Sequence, residues 1–305
     1  MRRASLLFLV VGLGCVSLPV QPAGAAQTAD INPYRGLGAW VDSFDYAPRL
    51  HREGRPPPVT ADSVNDIARL GARTLYLQVA NPDDAPTDQL VDAVQIRAIL
   101  SSARSAGIRV VAWFLPHLAN VEADTQMIKT IVNFRSEGAR FDTVALDLEY
   151  TQGESDVAIR NDNMIELTRN ARKILGTKRG LGAIVYPAVQ IDVVNPFLWP
   201  NFPYKRLAPM IDVWMPMAYF TFRDQPYRDA YRYTEESVAR LRKHLDDKSA
   251  VVHPIGGIAD LTTPEDYVAF LRAVGDTKSV GYSVYDFVTT SSSAWTFLRG
   301  SGVPA

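Results

Sequence analysis

The sequence predicts an α/β chain closed into a (β/α)8 TIM barrel, and three observations carry that expectation. Eight short apolar runs alternate with helical segments over roughly 270 residues, which is the count and size of such a barrel. The run after the first strand, Asp42-Ser-Phe-Asp45, is not the Gly-rich loop that an open doubly wound sheet carries there. Polar residues recur just beyond the strands, where the loops of the barrel's carboxyl face begin.

Taken in order, Gly36-Leu-Gly-Ala-Trp-Val41 is the first strand, Thr60 to Leu70 a helix with Thr60 as N-cap, and Thr74 to Val79 the second strand. Val91 to Ala106 is helical, Ile108 to Phe114 is the third strand, and Val121 to Glu137 is helical again. The fourth strand is Phe141-Asp-Thr-Val-Ala-Leu-Asp-Leu-Glu-Tyr150. It precedes a helix from Asn161 to Leu175, whose Met164, Leu167, Ala171 and Ile174 form one apolar stripe. Gly182 to Tyr186 is the fifth strand. The proline-bearing stretch from Pro187 to Pro203 leaves room for only a short helix before the sixth strand, Ile211 to Tyr219. Glu235 to Leu245 is helical and Val251 to Gly256 is the seventh strand. Thr263-Pro-Glu-Asp266 opens the next helix with a cap, an N1 proline and acids in the first turn. Val280 to Tyr285 is the eighth strand, with a last short helix after Ser291. No linker divides the chain, so residues 30–305 are expected to form a single domain, with Arg49 to Pro58 a long loop over the catalytic face.

Residues 1–25 read as a secretory leader: Arg2 and Arg3 precede the apolar run Leu6 to Leu13, and Ala23-Gly-Ala25 offers small residues for cleavage. The expected destination is extracellular. Cys15, the only cysteine, lies inside that leader, and Gly12-Leu13-Gly14 is a poor lead-in to a lipidated cysteine. A mature chain without cysteine cannot use disulfides and must rely on one large core.

The net charge of −1, lowered by two when Arg2 and Arg3 leave with the expected leader, does not point to a polyanionic partner, and no Lys or Arg cluster is dense enough for nucleic acid. After the leader no apolar stretch reaches transmembrane length. No His, Cys, Asp and Glu grouping has metal-ligand spacing, so neither a metal nor another cofactor is expected. The mature protein is expected to be a monomer acting on an oligosaccharide or polysaccharide.

The fourth strand carries the sharpest chemical signal. Side chains alternate along a strand, so Thr143, Ala145, Asp147 and Glu149 share one face. Two carboxylates at one strand end suit acid chemistry, because each raises the pKa of its neighbour and a proton must be held near neutral pH to be donated. The barrel rule adds Asp42, Gln78, His117, Tyr186, Tyr219, Asp260, Tyr285 and Asp286 at the same face, with Trp40 and Trp113 on strands one and three as floors for a ligand or as barrel packing. His117 is expected to contact a substrate hydroxyl, whereas His253, inside strand seven, is expected to make a core or rim hydrogen bond. Serine hydrolysis is disfavoured by the absence of a Gly-x-Ser-x-Gly elbow.

Asp142-Thr-Val-Ala-Leu-Asp147-Leu-Glu149 resembles the Asp-x-x-Asp-x-Asp-x-Glu motif of the chitinase-like glycoside hydrolases of family 18, with Ala145 in place of the second acid. Met217-Ala-Tyr219 resembles that family's Met-x-Tyr, and Gly281-Tyr-Ser-Val-Tyr285 its Gly-x-x-x-Trp with Tyr for Trp. Gly107-Ile-Arg-Val-Val-Ala-Trp-Phe114 is more similar to bacterial glycosidases related to the alpha-amylase superfamily.

The resemblance implies a glycosidase in which Glu149 protonates the glycosidic oxygen, Asp147 orients and polarises a substrate group, and Tyr219 approaches the developing oxocarbenium centre. It also implies retention through the substrate's own N-acetyl group. Loss of the second acid opens the alternative that the protein supplies another carboxylate, from Asp260, Asp286 or Asp42, or that Asp147 itself attacks. A barrel that keeps the cleft and has lost catalysis, becoming a carbohydrate-binding module, is the competing function.

Overall fold

The computed structural model describes residues 29–51, 55–81 and 89–300. The segment expected to be a leader, Cys15 and residues 52–54 of the long loop after the first strand lie outside the described residues.

The elements run β1 (Gly36–Val41), α1 (Ser43–Tyr46), α2 (Ser63–Arg69), β2 (Thr74–Ala80), α3 (Ala93–Ala106), β3 (Arg109–Phe114), α4 (Val121–Asn133), β4 (Thr143–Asp147) and α5 (Val157–Leu175). They continue through β5 (Leu181–Val185), α6 (Tyr204–Leu207), β6 (Val213–Ala218), α7 (Ala230–Leu245), β7 (Ile255–Ile258), α8 (Pro264–Asp276), β8 (Gly281–Tyr285) and α9 (Ser292–Arg299). All eight strands are parallel to their neighbours, and β8 returns to β1 to close the barrel.

Period-two alternation sorts the strand residues into two cores. Leu75, Leu77, Val110, Ala112, Val144 and Leu146 face outward and pack with the helices. Trp40, Tyr76, Val111, Trp113, Ala145, Ile184, Met215 and Met217 face inward and fill the barrel. The interior is therefore a packed core, as barrel interiors are. Glycine makes room for its largest rings: a Cβ at Gly38 would stand 2.4 Å from the Tyr76 ring, and one at Gly182 would stand 2.8 Å from the Tyr34 ring. Tyr34, just before β1, plugs the amino-terminal end and donates its hydroxyl hydrogen to the Val144 carbonyl at 2.8 Å.

Several boundaries move for identifiable reasons. The seventh strand begins at Ile255, not Val251, because Pro254 has no N–H to continue the ladder and Val252 makes only an isolated bridge to Trp214. Thr60 does not cap: the helix starts at Ser63, whose hydroxyl accepts from the Thr60 amide. Asp156 and Asp229 cap α5 and α7 through backbone amides, so these helices start earlier than apolar periodicity indicates. The helix after β3 stops at Asn133 before the left-handed pair Glu137 and Gly138. Thr263 and Asp266 form the expected reciprocal capping box. The proline-bearing connection holds a single π turn, Gln190–Val194, ahead of α6. Among the described residues no helix is long and apolar enough to cross a membrane.

Candidate active site

A cleft of about 360 Å³ opens at the carboxyl ends of the strands. Trp40, Trp113, Ile184, Met217 and Ile255 line it from within the barrel. Asp147, Glu149, Tyr219 and Tyr285 stand along its walls. The β4 ladder ends at Asp147, opposite Ile184 of β5. The Leu148 amide still donates to the Ile184 carbonyl at 2.9 Å, which carries the alternation one step further and brings Glu149 into the same cleft as Asp147.

Burial dominates the electrostatics of this pair. Asp147 is buried, and desolvation followed by the charge of Glu149 pushes its carboxyl well above the usual carboxylate range. Desolvation lifts Glu149 to about 7. Each ionisation opposes the other, so the pair retains a proton around neutral pH. Two polar atoms of the cleft, Asp147 Oδ1 and Trp113 Nε1, are buried without a hydrogen-bond partner among the described residues. One is an acceptor and the other a donor, and buried polar atoms left unpaired in this way are uncommon in folded proteins. Ala145, where the resembled motif has its second acid, is fully buried among Trp113, Ile184 and Met215, and offers Asp147 no polar contact.

Tyr219 follows β6 directly. Its amide bonds the Met217 carbonyl at 2.7 Å, turning the chain into a 3₁₀ turn and aiming the ring into the cleft. Burial, then the charges of Glu149 and Asp147, hold the Tyr219 phenol well above its ordinary value, so it remains a neutral donor. Tyr186 stands behind Glu149 and donates to its backbone carbonyl at 3.3 Å. Tyr285 donates to Asp42 Oδ2 at 2.8 Å.

The floor is anchored from below. His253 donates Nδ1–H to the Tyr34 carbonyl at 2.8 Å, leaving Nε2 to accept from the Ser283 hydroxyl at 3.0 Å. Ser283 Oγ in turn accepts from Trp40 Nε1–H at 2.8 Å. Burial lowers His253 to about 4, in keeping with this neutral tautomer. His253 thus makes the core hydrogen bond expected of it. Ser283 is fully buried beneath Trp40 and does not line the cleft. Gln78 lines the floor while its Oε1 accepts from the Ser43 amide at 2.9 Å.

Four of the predicted residues do not line the cleft: Tyr186, which stands behind Glu149, and His117, Asp260 and Asp286. His117 turns away: its amide donates to Asp124 Oδ1 at 3.1 Å, and its ring lies 5.4 Å from Tyr150. Its carbonyl fills the space where a Gly153 Cβ would be. Asp260 is exposed in the 3₁₀ turn after β7. Asp286 is buried beside the cleft, with Oδ1 accepting from the Thr289 amide and hydroxyl. Asp42 does line the cleft, but also caps α1 in a reciprocal box with Asp45. No described residue of the loop from Arg49 to Pro58 lines the cleft either. Among its described residues Arg49 bonds the Val91 carbonyl at 3.2 Å, and the wall from this part of the chain is Asp42 and Phe44.

Asp42, Asp45 and Asp286 converge to within 4.8 Å, an all-oxygen grouping of the kind hard cations take. Sequence spacing hid it because Asp286 comes from the far end of the chain. The carboxylates already serve one another and their neighbours: Asp42 Oδ1 accepts from the Asp45 amide and Asp45 Oδ2 from the Asp42 amide. Burial and the other two charges push Asp45 up to about 7. Phe44 and Phe222, both exposed, line the mouth and were also missed. Their only signal in the sequence is position, each a few residues past a strand end.

No family model matches the chain, and no curated protein matches it. Solved structures share its fold at low identity. The endo-1,4-beta-mannanase from Rhizomucor miehei matches with a TM-score of 0.61 and 11% identity, covering 92% of this chain and 97% of that one. A class V chitinase from Pseudomonas fluorescens gives 0.61 and 11%, covering 88% and 100%. The chitinase-like agglutinin from Robinia pseudoacacia gives 0.60 and 12%, covering 87% and 98%.

Proposed function

We propose that this chain is a glycoside hydrolase, with Glu149 the general acid that protonates the leaving glycosidic oxygen. The observation that carries the reading is the buried Asp147 and Glu149 pair on one wall of the cleft, with Glu149 lifted to about 7 by desolvation. An acid of that strength still holds its proton where most carboxylates have lost theirs, and is strong enough to give it up. Asp147 Oδ1 accepts a hydrogen bond from the sugar and steadies positive charge building at the anomeric carbon. Tyr219, neutral and beside both acids, completes the polar wall.

The chemistry that fits this arrangement is retention of the anomeric configuration: Asp147 either orients the substrate's own acyl oxygen for attack or attacks itself. Ala145 removes the acid that would otherwise hold Asp147 from below, so Asp147 depends on substrate for its partner. The likeness to a mannanase and a chitinase supports a carbohydrate substrate. The leader-like residues 1–25 support secretion and an extracellular or cell-wall glycan. Incubating the purified protein with a glycan panel and reading the anomer of the first product by NMR tests activity and stereochemistry together. Cleavage with inversion overturns the retaining step, and no cleavage overturns the enzyme.

A second reading is a carbohydrate-binding barrel without catalysis. It is favoured by the loss of the acid at Ala145 and by the likeness to a chitinase-like agglutinin. Glycan binding with no hydrolysis by the wild type assigns the chain to it.

A further inference from the structure

The aromatic side chains of the cleft do not stop at its floor. Trp113 and Trp40 meet at 5.8 Å between ring centroids, Trp40 and Tyr285 at 6.5 Å, Tyr285 and Tyr219 at 6.2 Å, and Tyr219 and Phe222 at 6.3 Å. The series passes from rings buried in the barrel to Phe222, which is 56% exposed at the mouth. Each step is comparable to the length of one pyranose unit. On the wall fed by β1, Phe44 is 59% exposed and lines the same cleft.

Large apolar side chains held in water at the lip of a polar cleft are a mark of a binding surface. These two are not core residues that failed to bury: each sits in a short turn pinned by its neighbours. Phe44 lies inside the Asp42 and Asp45 capping box, and Phe222 ends the 3₁₀ turn whose Thr221 hydroxyl accepts from the Ile258 amide at 3.0 Å. The charge of the cleft narrows the ligand. Asp42, Asp147 and Glu149 line it and no Lys or Arg does so among the described residues. A polyanionic chain meets only repulsion there.

We propose that Phe222 and Phe44 form an outer subsite that stacks on a sugar ring beyond the one being cleaved, so that the cleft takes an uncharged pyranose chain several units long, with equatorial hydroxyls and apolar ring faces. This inference rests on the glycosidase reading for the chemistry but not for the binding.

The test separates the two. Binding is measured by calorimetry for β-linked oligosaccharides of glucose, N-acetylglucosamine and mannose, from disaccharide to hexasaccharide, on the wild type and on Phe222→Ala, Phe44→Ala and Phe222→Trp. Hydrolysis of the corresponding monosaccharide fluorides is measured in parallel, because a single sugar unit leaves the outer subsite empty. Phe222→Ala is expected to weaken hexasaccharide binding about five- to tenfold, the worth of one stacked aromatic face. Its effect on disaccharide binding and on fluoride hydrolysis is expected to be smaller than its effect on the hexasaccharide, and Phe222→Trp restores the longer ligand. Equal affinity of wild type and Phe222→Ala at every length overturns the subsite, as does failure of the wild type to bind any of these chains. Equal binding of an oligouronate overturns the choice of an uncharged ligand. Length-dependent binding with no hydrolysis of any fluoride or chain upholds the subsite and overturns the glycosidase reading alone.

Discussion

Tyr285 and Asp42 are joined by a 2.8 Å hydrogen bond from phenol to carboxylate, which ties the last strand of the barrel to the loop after the first at the wall of the cleft. The bond holds a partly buried phenol and a carboxylate that burial has already made reluctant to ionise. Phe at 285 is expected to lower stability by about 1–3 kcal/mol, because Asp42 Oδ2 loses its donor in a site poor in water. Asn at 42 keeps the cap on α1. The double variant Y285F/D42N is expected to cost less than the sum of the singles, since both break one contact. Denaturant titration of the four proteins checks this, and strict additivity removes the coupling.

Glu149→Gln keeps shape and hydrogen-bonding capacity but removes the transferable proton. Hydrolysis of an unactivated glycan is expected to fall about 10² to 10⁴-fold while binding holds and the melting temperature does not fall. Substrates with good leaving groups lose less, because they need less protonation. Wild-type turnover by the Gln variant on an unactivated glycan takes Glu149 out of the acid role.

Asp147, Glu149 and Asp45 are expected to contribute a loss of stability as pH rises from about 4 towards 8, opposite in sign to the usual acid denaturation and to the contribution of His253, which burial lowers to about 4. The unfolded carboxyls titrate near about 4, whereas folding raises Asp147 and lifts Glu149 and Asp45 to about 7. At these three carboxyls the folded state therefore binds more protons across that interval, so their stabilising effect is complete below the unfolded values and lost as pH passes the folded ones. Thermal melts of wild type and Glu149→Gln across this range check the sign. The wild type should lose stability relative to the variant as pH rises, and identical slopes would exclude Glu149 from the titration.

Gly38→Ala puts a methyl 2.4 Å from the Tyr76 ring, which stacks on Trp40 at 4.4 Å between centroids. Overpacking of this kind costs about 1–3 kcal/mol. The displaced ring has to push on the cleft floor, so ligand affinity should drop along with melting temperature. A stable variant with unaltered glycan binding contradicts the tight packing described between β1 and β2.

The barrel was legible because its cause is local. Alternation in runs such as Thr74–Ala80 and Val213–Ala218 assigns each side chain to one of two cores whatever the rest of the chain does. Asp147 and Glu149 were legible for the same reason, two residues apart on one strand. His117 was misplaced because a loop obeys its own contacts: Asp124, seven residues on, gathers the His117 and Leu118 amides and turns the imidazole aside. The meeting of Asp42, Asp45 and Asp286 depends on β8 closing against β1, which no window of sequence contains. Phe44 and Phe222 escaped notice because apolar residues are read first as core, and only solvent exposure marks them otherwise.

The file of hydrogen bonds from the Tyr34 carbonyl through His253 and Ser283 to Trp40 has a consequence for how this protein can diverge. The tilt of the indole at the bottom of the cleft is fixed by groups at the opposite end of the barrel, independently of any rim loop. Loops bearing Phe44 or Phe222 can be exchanged, lengthened or recombined while the indole stays where it is. New ligand preferences are therefore open to a lineage, or to an engineer, through the rim alone, whereas a change at His253 disturbs every such variant at once.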